Sequence, residues 1–167
     1  LLSFSNNTPD FVEGEGWMGG RFGLGTNNLN QAAYLQTTNA VSSGAPNAIG
    51  STRFSSANNS GELGDNHHIK VFRGDGNQVQ LADITFQGYR THEVNFTMSA
   101  GQVADETLID HVVIDDLDIA ADQFRVGFTE LSYAHNMDLG DMSALSFRVE
   151  PNSSQDKFHL SLDGVLD

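Results

Sequence analysis

Apolar and polar residues alternate with period two at several places in the second half of the chain. Val94, Phe96 and Met98 alternate with Asn95 and Thr97, and Phe124, Val126 and Phe128 alternate with Arg125 and Gly127. The same rhythm runs through Leu145, Phe147 and Val149, and through Phe158, Leu160 and Leu162. Successive side chains of a strand point to opposite faces, so this pattern predicts strands with one buried and one wet face. Such strands belong in antiparallel sheets, because parallel ones are covered on both sides. Ile69-Lys70-Val71-Phe72 and Val79-Gln80-Leu81 flank Arg73-Gly74-Asp75-Gly76-Asn77. Asp-Gly between two strand-like runs predicts a hairpin.

One stretch carries two periods at once. Ile109, Val112, Val113 and Leu117 fit a helical stripe, and residues 104–108 could nucleate a short helix. Yet Val112-Val113-Ile114 is β-branched, and acids interrupt the stripe, so the expectation is a strand. Many short strands with hardly any helix predict an all-β antiparallel sandwich, of the jelly-roll kind. No composition break divides the chain, so residues 1–167 are expected to form one domain with long Gly- and Asn-rich loops.

A resemblance supports that class. Residues 145–150 (Leu-Ser-Phe-Arg-Val-Glu), a polar turn, and residues 156–165 are similar to the closing strands of secreted bacterial jelly-roll domains. The early Gly-Trp region followed by residues 30–35 (Asn-Gln-Ala-Ala-Tyr-Leu) looks like their opening. Many of those domains are carbohydrate-binding modules or parts of surface-anchored proteins, which is what the resemblance implies here. That family usually has an Asp-Asn pair near its end; this chain has Asp163-Gly164.

Charge narrows the partners. Acids outnumber Lys and Arg 22 to 8, a net charge of −14. That excludes an ordinary nucleic-acid binder and an electrostatic contact with anionic lipid, and no apolar run is long enough to insert in a membrane. With no cysteine in the sequence, disulfides and thiolate chemistry are excluded. Few lysines beside many acids fit an extracellular or cell-surface protein. Asp105, Glu106, Asp110, Asp115, Asp116, Asp118 and Asp122 form an acidic run without Lys or Arg. Clustered carboxylates are what calcium takes, so calcium is a candidate cofactor, with Asp115, Asp116, Asp118 and Asp122 as its ligands. A solvated acidic loop is the alternative.

The six histidines lack zinc spacing, and His67-His68, being adjacent, face opposite sides of a strand. No Ser-nucleophile, phosphate-loop or sandwich-hydrolase motif is present, which argues against an enzyme. Flat aromatic rings stack on the apolar faces of sugars while Asn, Asp and Arg bind the hydroxyls. Trp17, in a Gly-rich run, with Tyr34 and Tyr133, is the candidate ligand site. The leading expectation is a non-catalytic extracellular module that binds a carbohydrate, a neutral one given the charge. Two alternatives stay open. One is a structural subunit of a filament, matrix or surface layer, self-associating through the N-terminal strand (Leu2 to Phe4). The other is an enzyme with a discontinuous site.

Overall fold

The computed structural model describes residues 18–59, 64–74 and 79–136. Among the described residues eight strands follow one another: β1 (Phe22–Gly23), β2 (Asn30–Gln36), β3 (Ala48–Ser56), β4 (His67–Arg73), β5 (Val79–Phe86), β6 (Thr91–Met98), β7 (Glu106–Val113) and β8 (Gln123–Ser132). A single 3₁₀ turn, Ala100–Gln102, precedes β7, and the described residues contain no α-helix. The strands form two four-stranded antiparallel sheets. The first has the order β1-β8-β3-β6, the second β2-β7-β4-β5. The expected all-β sandwich is therefore present. Its pairings nest: β4 with β5, β3 with β6, β2 with β7, β1 with β8.

Most of the alternation reads through directly. In β6, Phe96 and Met98 are buried while Asn95 and Thr97 are exposed. The predicted hairpin is the β4–β5 pair, with Ile69 facing Ile84 and Val71 facing Ala82. The two-period stretch is strand β7, which pairs with β2 on one side and β4 on the other. The alternating runs at 145–149 and 158–162, and Leu2 to Phe4, lie outside the described residues.

β8 departs from the expectation. Phe124 and Val126 face the core, but Phe128 does not. The β3–β8 register slips between Arg53 and Phe54: Arg53 lies opposite Phe128, whereas Phe54 lies opposite Val126. Gly127 is the extra residue of a β-bulge, and one inserted residue turns all that follows to the other face. Beyond it, Leu131 packs on the core and Phe128 points outward.

The core between the sheets is built around aromatic rings. Phe124 meets Phe54 edge-on at 6.1 Å and Phe86 at 6.0 Å between centroids, and Phe22 lies 6.1 Å away. Edge-to-face contacts of this kind add to the gain from burial itself. Gly50 of β3 makes room for Phe96, since a Cβ there would sit 2.2 Å from its ring.

Two polar contacts join the sheets through this apolar layer. His111 on β7 donates from Nδ1 to the Gln31 carbonyl at 3.0 Å, and its Nε2 accepts from Thr52 Oγ1 on β3 at 2.7 Å. Burial holds its pKa below the usual value, against the Gln31 carbonyl and the charge of Asp110. His67 on β4 donates from Nδ1 to Asp122, just before β8, at 2.6 Å, and both side chains are fully buried. The second Asp122 oxygen accepts the His68 backbone N–H at 2.8 Å. A buried carboxylate is tolerable only when its lone pairs are met in this way.

Candidate functional site

The outer face of the first sheet combines exposed apolar groups with hydrogen-bonding ones. The odd-numbered residues of β3 point outward, because even-numbered Thr52 reaches inward to His111. Register then sets out four rows across the sheet. Ser132, Ile49 and Thr97 form the first, and Glu130, Ser51 and Asn95 the second. Phe128, Arg53 and Glu93 form the third, and Arg125, Ser55 and Thr91 the fourth. Ile49 is 64% exposed and Phe128 37% exposed. Beside them a shallow depression of about 310 Å³ is lined by Ile49, Ser51, Asn95, Glu130 and Ser132. In the fourth row Ser55 Oγ and Thr91 Oγ1 are hydrogen-bonded at 2.7 Å.

Basic residues gather on this face of an acidic protein. Arg125 donates to the Gly19 carbonyl at 3.0 Å, and Arg21 donates to Gln123 Oε1 at 3.1 Å. Burial, then the like charge of Arg21, holds the Arg125 guanidinium below its usual pKa.

Of the residues expected from sequence to form a ligand site, Tyr34 and Tyr133 lie on different sheets. Trp17 lies outside the described residues. Tyr34, on edge strand β2, is 61% exposed on the outer face of the second sheet. Tyr133 follows β8 in the first sheet, packs against the core, and donates to the Thr38 carbonyl at 3.4 Å. Phe128, Ile49 and the arginines are what the sequence reading passed over. The spacing of Phe128 predicts a buried ring; only the glycine beside it hints at a bulge.

The four acids expected to hold calcium do not converge on one point. Asp122 is buried on His67, while Asp116 accepts from His68 Nδ1 at 2.7 Å. Asp115 and Asp118 are exposed, and Asp118 has φ of 53°. Among the described residues no group of three or more His, Cys, Asp or Glu side chains is placed to hold a metal ion.

The His68 contact has a pH consequence. His68 faces outward on β4, opposite in direction to His67, and donates from Nε2 to Asp83 at 2.7 Å as well as to Asp116. Lys70 joins Asp83 at 3.0 Å. Burial opposes charge on His68, but the hydrogen bonds and negative charges of Asp116 and Asp83 outweigh it and raise its pKa above 6.5. The bond from His68, then that from Lys70, lowers the Asp83 pKa. A raised histidine pKa contributes stability that is full below the unfolded value and lost as pH rises through the folded one. The stability gap between the parent chain and His68→Gln is therefore expected to be widest near pH 5–6 and to close toward pH 9. Urea titrations across that range read it; a gap independent of pH would refute the charged clamp.

No protein-family model matches the chain, and no curated protein matches it. Among solved structures it is similar to the C-terminal domain of EclA, a sugar-binding protein, at 9% sequence identity and a TM-score of 0.32. That likeness covers 64% of this chain and 81% of the other.

Proposed function

We propose that the chain is a non-catalytic, extracellular glycan-binding module that lays a polysaccharide across the outer face of its first sheet. The observation that carries this reading is the partly exposed Phe128 ring, one row from exposed Asn95 and Glu130 and beside a shallow depression. Such a surface offers a flat apolar platform and hydrogen-bonding groups, the two things a sugar ring needs. The nested pairing of strands supports the jelly-roll form of the sandwich. A shallow sheet face suits a polymer better than a small molecule, which needs a deeper cleft.

Phe128→Ala is expected to weaken binding about tenfold or more, the loss of one stacking platform. Being partly exposed, it should shift the melting temperature little. Tyr34→Ala, on the opposite sheet, should leave affinity unchanged. Affinity electrophoresis of both variants against a panel of soluble polysaccharides reads these outcomes. Loss with Tyr34→Ala but not Phe128→Ala would move the site to the second sheet.

A further inference from the structure

We propose that Arg21 and Arg125 form a subsite for an acidic substituent, a carboxylate or a sulfate, on the glycan bound by this face. The inference rests on the glycan reading above and names the chemical class of the ligand. It starts from register. Phe22 pairs with Phe124 and Gly23 with Gln123, so one step further Arg21 stands across from Arg125. The Gly19 N–H donates to the Val126 carbonyl at 2.7 Å, which holds the two segments together past that point. Two guanidinium groups therefore sit as cross-strand neighbours, an arrangement in which like charges repel. In a chain with 22 acids and only 8 Lys and Arg, such a pairing is not forced by composition.

Among the described residues no acid is bonded to either arginine. Arg21 and Arg125 each donate to a neutral oxygen, one on Gln123 and one on Gly19. A guanidinium carries five N–H donors, so both retain donors for a further acceptor. Glu93 lies one row away, opposite Arg53, and Glu130 lies in the row beyond. An oxyanion bridging the two arginines would satisfy the spare donors and cancel the like charge, in the forked geometry arginine offers to carboxylates and sulfates. The same row ends at exposed Thr91 on edge strand β6, whose hydroxyl suits one on the ring bearing the acid; Ser55 between them is buried and bonded to Thr91. The net charge of −14 had pointed to a neutral polymer. Screening confines each charge to its surroundings within about 8 Å at physiological salt, so the local pair decides what binds there.

The test uses the full chain with three polymers on one backbone: dextran, carboxymethyl dextran and dextran sulfate. The charged forms are expected to bind more tightly than dextran, and raised sodium chloride should weaken them. Arg21→Gln/Arg125→Gln should cost about tenfold or more in affinity for the charged form that binds. Lys70→Gln removes one positive charge from the second sheet, as Arg21→Gln alone does from the first, and should change affinity less than about twofold. The stronger of the two charged arms identifies carboxylate or sulfate. Melting temperatures of the double variant should not fall, since a repulsion is removed; Arg21→Gln alone, an exposed position, serves if Arg125 proves necessary for folding. Equal binding by parent and arginine variants, equal loss with Lys70→Gln, or no binding of either charged polymer overturns the subsite. If Phe128→Ala still abolishes binding of a neutral polysaccharide, the glycan face survives that failure. Binding through the arginines with no dependence on Phe128 leaves the anion site standing and removes the glycan reading.

Discussion

Replacing Asp122 by alanine is expected to cost about 3–5 kcal/mol of stability, enough to leave a marginal domain partly unfolded. The side chain is fully buried and accepts two hydrogen bonds, from His67 Nδ1 and from the His68 backbone. Alanine leaves both donors without their acceptor in an apolar layer beside Phe86 and Phe124. An unpaired buried group carries its full desolvation cost, which is why truncating one partner is far worse than never having built the pair. Asp122→Asn keeps one acceptor and should lose less. Urea denaturation of the three chains, with the slope checked for constancy, gives the comparison. A loss under about 1 kcal/mol for the alanine variant would mean that the contact carries no weight in the fold.

The second large effect is expected a few ångströms away, at Gly23→Ala. Gly23 has φ of +119°, a region that side chains avoid, and a Cβ there would lie 2.0 Å from the Asp122 carbonyl oxygen. The obstacle is backbone and cannot rotate aside. Gly23 also opens the tight turn that its N–H closes onto the Asn28 carbonyl at 2.7 Å. Strain and overlap together predict a loss of about 2–4 kcal/mol. In thermal melts that is a fall of several degrees or more for a domain of this size. Because β1 would be pushed from β8, the variant should also lose the pairing that sets Arg21 against Arg125. A melting temperature within a degree of the parent would contradict the backbone geometry.

Much of the fold was readable because it rests on local periodicity. The alternation in β6, the β-branched run in β7 and the Asp-Gly between β4 and β5 each carry their own signal within a few residues. His67 and His68 point to opposite faces for the same reason. The candidate site was less readable because its parts meet only through pairing. Arg125 reaches Arg21 and Ser55 across strands drawn from distant parts of the chain. Asp116 and Asp122 look like members of one acidic run, yet each is bound to a different histidine of β4, one outside the sandwich and one inside. Charge density along the sequence cannot separate them; the direction of each side chain does. Phe128 misled because a strand was assumed to keep its phase, and a bulge changes it.

The Gly127 bulge makes β8 two half-strands that run out of phase. The half before it sends Phe124 and Val126 inward, and the half after it sends Thr129 and Leu131 inward. Both halves thus supply the core, while the outer display is composed of two independent sets, one basic and one aromatic and acidic. Point substitutions can edit single members of either set. Only a change in length at this one position exchanges the whole later set, trading Phe128, Glu130 and Ser132 for Thr129 and Leu131. Variation by insertion or deletion at Gly127 is therefore a coarse selector of what this surface recognises, and side-chain replacement is the fine one.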